Sequence, residues 1–146
     1  METSGVIGAV HHRGIAVDDI GEAKRQYEAL GYGITFSSMC DEPVLIDKER
    51  NIRVIFLRKE TDVIELVTPV ESGKKSPVDR YIACRGGYSV YHTAYNVGNM
   101  EEAIAYLKNI GYSQIENIST ATLIDDRREV YMYSRRMGLV ELLEEK

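Results

Sequence analysis

His12, Glu65, His92 and Glu141 are the four side chains of this sequence whose types and positions together could do chemistry. Each lies in a stretch of strand-like alternation, where side chains two apart share a face. On that count His12 shares its face with Val10 and Ala16, Glu65 with Val63 and Val67, His92 with Val90 and Ala94, and Glu141 with Leu139 and Leu143. Every one is a polar group on an otherwise apolar face. Burying a lone carboxylate costs enough that it takes a proton or finds a partner. A divalent cation is the simplest shared partner, because two neutral imidazoles and two carboxylates satisfy a +2 ion with no residual formal charge. Mixed nitrogen and oxygen coordination with solvent positions left open suits Ni, Co, Mn, Fe or Zn and not Ca. His11 faces the other way, with Arg13 and Ile15, and stands outside the set.

Taken one at a time, such a histidine reads as a satisfied core residue and such a glutamate as a solvated strand residue. A repeat joins them. Residues 12–32 match residues 92–112 without a gap at an offset of 80, placing His12 on His92, Glu22 on Glu102, Ala23 on Ala103 and Gly31-Tyr32 on Gly111-Tyr112. Residues 52–67 match 128–143 at an offset of 76, placing Glu65 on Glu141. The chain therefore reads as one domain, residues 1–146, made of a module over about 8–68, a connector over about 69–89 and a second module over about 88–144. Two copies argue for a paired architecture and not for a solenoid.

Each module opens as a strand, Val10 to Val17 and Val90 to Val97, and then takes helical spacing. Asp19 with Glu22, and Asn99 with Glu102, are helix N-terminal signatures; Gly31 and Gly111 end the helices. The predicted apolar stripes are Ile20, Ala23, Tyr27 and Leu30 in one helix and Met100, Ala103, Leu107 and Ile110 in the other. Short strands are predicted around Gly33 to Ser38, Arg53 to Leu57 and Val63 to Thr68, then around Ser113 to Asn117, Glu129 to Ser134 and Leu139 to Leu143. The fold class is α+β, two β-α-β-β-β modules. In the connector, Ser76 and Pro77 lead into a short helix over 79–83.

Composition excludes several classes of function. With 44% apolar and 28% charged residues the chain has the makeup of an ordinary globular protein. A net charge of −5, from 18 basic and 23 acidic side chains, provides no general field for nucleic acid or anionic lipid. Apolar runs such as Val6 to Val10 fall far short of a bilayer span, and no secretion pattern is present, so the expected location is cytoplasmic. Cys40 and Cys84 form no C-x-x-C motif and read as buried or indifferent thiols. There is no phosphate-binding glycine loop, and no serine or cysteine lies in a nucleophile signature.

The segments around the four residues, HRGIAVDD from His12, VIELVTPV at Glu65, YHTAYNV at His92 and GLVELLEE at Glu141, resemble the metal-ligand segments of the vicinal oxygen chelate (glyoxalase/bleomycin resistance) superfamily. The resemblance covers nearly the full chain. It implies paired βαβββ modules whose mixed sheet curls around a metal site, one divalent metal ion as cofactor, and a homodimer. The run ELVTPVESGKKSPVDRYI followed by YHTAYNV is most similar to the methylmalonyl-CoA epimerases, with glyoxalase I next. The chain departs from the epimerases where Tyr133-Ser134-Arg135-Arg136 replaces a His-Pro-Lys turn, and near Val54, where some members place a glutamate base.

What the resemblance implies is a metal-dependent isomerase of the methylmalonyl-CoA epimerase type, which removes a proton alpha to a thioester carbonyl by way of a metal-stabilised enolate. Two alternatives stay open: a glyoxalase I-like lyase (lactoylglutathione lyase type) acting on a thiohemiacetal, and a non-enzymatic small-molecule-binding protein of the same fold. The expected partner is a small substrate, an acyl-CoA or thiol adduct, with no nucleic acid and no membrane. Glu141 or Glu65, as ligands able to loosen from the ion, are the candidate bases. Inversion also needs a second acid, for which Glu49 and Glu60 are candidates although both read better as surface residues. Lys74, Lys75, Arg85, Arg127, Arg128, Arg135 and Arg136 could hold substrate phosphates or a carboxylate, but read better as a solvated rim.

Overall fold

Alternation and helical spacing resolve, in the computed structural model, into ten strands and three helices among the described residues, 5–35, 45–84 and 86–146. In chain order they are β1 (Val10–Val17), α1 (Ile20–Ala29), β2 (Gly33–Ile34), β3 (Leu45–Asp47), β4 (Ile52–Lys59), β5 (Asp62–Pro69), α2 (Asp79–Cys84), β6 (Tyr88–Val97), α3 (Met100–Asn109), β7 (Ser113–Gln114), β8 (Ser119–Ala121), β9 (Arg127–Ser134) and β10 (Gly138–Glu144). Contacts divide the chain into two units. The first is His12–Tyr91; the second joins the chain up to His11 to His92–Lys146.

Each unit is a mixed sheet with a helix on one face. In the first the strand order is β2-β4-β5-β1, with β3 also on β4; in the second it is β6-β10-β9-β7, with β8 also on β9. The pairings of β1 with β5 and of β6 with β10 are parallel; the others are antiparallel. A parallel pair needs a crossover, and the helix that follows each opening strand supplies it. The α+β, paired βαβββ architecture expected from the sequence is the one found. The segment before β1 packs in the second unit, where the Gly8 N–H donates to the Asn96 carbonyl at 2.8 Å and the Asn96 N–H to Ala9 at 2.9 Å.

The helix ends follow their sequence signals. Asp19 Oδ1 accepts the Glu22 N–H at 3.0 Å, and Asn99 Oδ1 accepts that of Glu102 at 2.9 Å. At the other ends Gly31 (φ +100°) and Gly111 (φ +107°) turn the chain left-handed, and Tyr32 and Tyr112 donate back to Tyr27 and Leu107. Each helix covers its sheet's apolar face. Beneath α1 lie Ile15, Val17, Ile55, Leu57, Ile64 and Leu66; with α3 pack Val97, Val130, Met132 and Leu142. Two stripe residues differ from expectation. Leu30 and Ile110 are more than half exposed, because each is a C-cap beyond the last full turn, while Ile104 joins the core instead. The connector helix starts at Asp79, whose carboxylate accepts the Ser76 hydroxyl and N–H.

The repeat is less regular than a gapless match. β2 and β3 both pair with β4, and β7 and β8 both pair with β9, so each half has two short edge strands where the sequence predicts one. Residues 36–38 of the predicted first edge strand fall outside the described residues. Pairing also shows that Phe56 opposes Glu65 while Tyr131 opposes Glu141. The offset between halves is thus 75 along β4 and β9 and 76 along β5 and β10, because the second hairpin has one more residue in its turn. A one-residue slip moves every side chain to the other face. It makes Tyr131, not Met132, the counterpart of Phe56.

One turn in the first unit is set by glycine. Gly87 (φ +103°) accepts the Asp18 N–H at 3.0 Å, and a Cβ there would stand 2.4 Å from the Asp18 carboxylate. Gly87→Ala is expected to cost ~1–3 kcal/mol from strain of this kind, read as a lower urea midpoint with an unchanged slope; an unshifted midpoint would refute it.

Candidate metal centre

In each unit the sheet face away from the helix carries a histidine set beside a glutamate. The parallel registers place Gly14 opposite Glu65 and Ala94 opposite Glu141, so each carboxylate stands one pleat from the histidine of the neighbouring strand. In the first unit His12 Nε2 is 3.8 Å from Glu65 Oε1; in the second, His92 Nε2 is 3.2 Å from Glu141 Oε1. All four residues are buried, His12 completely and Glu65, the most accessible, at 8%. Of the neighbours predicted for the shared faces, Ala16, Val63, Val67, Ala94 and Leu143 are buried, Leu139 is half-buried, and Val10 and Val90, near the starts of their strands, are about half exposed.

Each imidazole is also held by an aromatic ring from the next strand but one. The His12 and Phe56 rings meet edge to face at 5.6 Å and 84°, and those of His92 and Tyr131 at 5.6 Å and 87°. Phe56 and Tyr131 are the residues paired with the two glutamates. Ring, carboxylate and imidazole thus form the same local arrangement twice, which orients each Nε2 towards its carboxylate.

The donor spacing suits a metal ion. Two ligand atoms each ~2.1 Å from a common Zn-like ion at tetrahedral or octahedral angles stand ~3.0–3.4 Å apart. The His92–Glu141 separation lies in that range, and the His12–Glu65 pair is about half an ångström wider. Histidine nitrogen with carboxylate oxygen is the donor chemistry of transition metals. His12, Glu65 and His92 are buried, and each offers a ligand atom of that kind.

The remaining candidates separate clearly. His11 is half-buried on the opposite alternation. Glu49 and Glu60 are exposed, Glu60 in the tight turn between β4 and β5. Arg127 donates to the Asn96 side chain and to the Leu143 and Glu144 carbonyls, and Arg128 is paired with Glu101 and Glu144. Lys74 pairs with Glu71; Lys75, Arg135 and Arg136 are exposed; Arg85 and Cys40 lie outside the described residues. Cys84, the last residue of α2, is exposed, which leaves it the indifferent thiol of the two readings.

One buried carboxylate escaped the sequence reading. Glu129 is 3% exposed on β9, on the face of Tyr131, and its Oε1 lies 3.4 Å from the Ser119 hydroxyl. At the true offset of 75 its counterpart is Val54, a comparison hidden by the gapless alignment.

Residues 11–131 match the family model of the Glyoxalase/Bleomycin resistance protein/Dioxygenase superfamily. The chain belongs to this superfamily. Among solved structures, methylmalonyl-CoA epimerase from Mycobacterium tuberculosis is similar at a TM-score of 0.78 and 20% identity, over 100% of this chain and 93% of that one. A hypothetical protein from Bacillus halodurans C-125 gives 0.76 and 24%, over 94% of both chains. A variant of Streptomyces coelicolor methylmalonyl-CoA epimerase in complex with 2-nitronate-propionyl-CoA gives 0.75 and 18%, over 94% of both. At these identities the likeness is one of fold. No curated protein matches the sequence. Members of the glyoxalase superfamily are commonly metal-dependent enzymes. Among the described residues no helix is long and apolar enough to cross a membrane.

Proposed function

We propose that the chain is a divalent-metal-dependent isomerase of the methylmalonyl-CoA epimerase type, with His12, Glu65, His92 and Glu141 around one shared ion. The observation that carries this reading is the duplicated, buried histidine–glutamate pair, at equivalent strand positions of the two units, each braced by an aromatic ring. Packing alone gives no reason to bury two such pairs among apolar neighbours. The epimerases of like fold support the substrate class, a thioester of coenzyme A.

A divalent cation in such a site supplies positive charge where a carbonyl oxygen gains negative charge. The chain's own residues do the rest. Glu141 or Glu65 takes the proton from the carbon next to the carbonyl, from a position within ~3 Å of it. The imidazoles are held in orientation by their ring neighbours, and the buried valines and leucines keep water from the carboxylates. The same four donors also suit a glyoxalase I-like lyase, in which the proton leaves a thiohemiacetal carbon.

The test uses protein purified without chelator and loaded in turn with Ni, Co, Mn, Fe(II) and Zn. Incorporation of solvent deuterium into methylmalonyl-CoA is followed beside turnover of a methylglyoxal–thiol adduct. Metal-dependent deuterium uptake is the expected result. Adduct turnover alone would move the assignment to the lyase, and binding of either compound without turnover under any metal would make this a binding protein.

A further inference from the structure

Glu129 is a buried carboxyl with no part in the chemistry so far. It lies on β9 two residues from Tyr131, on the face opposite the one that Val130 and Met132 present to α3. Across the hairpin Tyr131 pairs with Glu141, and Glu129 pairs with Leu143, so Glu129 and Glu141 are diagonal neighbours on one sheet face. Diagonal neighbours are ~7–8 Å apart, their β carbons somewhat closer. Two carboxyl oxygens that flank one carbon, each within ~3 Å of it, stand at most ~6 Å apart, a separation that two glutamate side chains rooted at that spacing can reach. The first unit lacks this arrangement: Val54, which pairs with Val67, stands where Glu129 stands, and Phe56 where Tyr131 stands. Proton-carrying groups are thus concentrated on one of two otherwise matched hairpins.

We propose that Glu129 is the second proton carrier of the reaction, the acid that returns a proton to the carbon after Glu141 has removed one. The inference rests on the isomerase reading above. Glu141 as carboxylate takes the proton, and the C–H electron pair moves onto the carbonyl oxygen. The pair then returns to carbon as that carbon takes the O–H proton of Glu129 on its opposite side. Glu141 ends protonated and Glu129 ionised, and the reverse reaction exchanges those states. The Ser119 hydroxyl, donating to Oε1 at 3.4 Å from the residue paired with Glu129, holds the carboxyl in place and is a positioning residue.

The experiment compares metal-loaded wild type, Glu129→Gln, Glu129→Asp and Ser119→Ala, each given a single epimer of methylmalonyl-CoA in D2O. Exchange of the alpha proton and inversion of configuration are measured separately, beside metal content and the thermal midpoint. Glu129→Gln is expected to keep its metal and to exchange the proton of one epimer within about threefold of wild type, while inverting at least ~100-fold more slowly, the scale of a lost general acid. Glu129→Asp recovers part of the inversion, and Ser119→Ala slows inversion more than exchange. Inversion at the wild-type rate in Glu129→Gln overturns the proposal. So does a fall of exchange and inversion in equal proportion, which marks a residue that only pins β8 to β9. If wild type itself exchanges no proton with any metal, the isomerase reading fails and this one falls with it.

Discussion

His92→Ala and Glu141→Gln are each expected to lower affinity for divalent metal by more than ~100-fold, since even an outer-shell partner of a ligand is worth 10–100-fold. The two substitutions act differently. Alanine at 92 removes a nitrogen donor that is only 2% exposed, together with the ring against which Tyr131 packs. Glutamine at 141 keeps the volume and one carbonyl oxygen but takes away a full negative charge, so its effect isolates the electrostatic share of binding. Elemental analysis of protein purified without chelator, followed by competition against a chelator of known affinity, measures both. His11→Ala is the control, because its side chain lies on the other alternation of β1, and its metal content should equal that of the parent. Unchanged occupancy in both test variants would remove the metal from the account of this protein.

Phe56→Ala is expected to destabilise the fold by ~3–5 kcal/mol, the usual range for truncating a buried phenylalanine. Phe56 is 1% exposed, stands opposite Glu65 and meets the His12 ring edge to face. Its removal opens a cavity on the face that carries the histidine, where the polar neighbours close in less readily than aliphatic ones. Against a total stability of ~5–15 kcal/mol the loss is large. Equilibrium urea unfolding, with the slope held as a check on two-state behaviour, measures it. A change below about 1 kcal/mol would mean that the ring is replaceable at that position. The same variant should bind metal more weakly, because His12 loses the ring that orients it.

Much of this fold is legible in the sequence itself. Helix ends are written in local signals: Asp19 and Asn99 cap through their own side chains, and Gly31 and Gly111 adopt the left-handed turn that their residue type permits. The four candidate ligands could be found because alternation sets each on an apolar face and the repeat sets them at matched positions. What escaped depended on longer range. β3 and β8 are three residues each, too short for a period to show, and exist because β4 and β9 offer edges to pair with. Glu129 escaped because one added turn residue shifts the register, and only pairing across the hairpin reveals which residues face which.

That added residue also limits how the two halves could substitute for one another. A synthetic chain made by joining the first half to a second copy of itself would keep both imidazole–carboxylate pairs and both bracing rings. It would carry valine and phenylalanine on both hairpins, where the natural chain has glutamate and tyrosine on one. Such a twin could grip a cation as firmly as its parent and still be handed: able to strip hydrogen from a substrate, yet without the means to set it down on the mirror-image side.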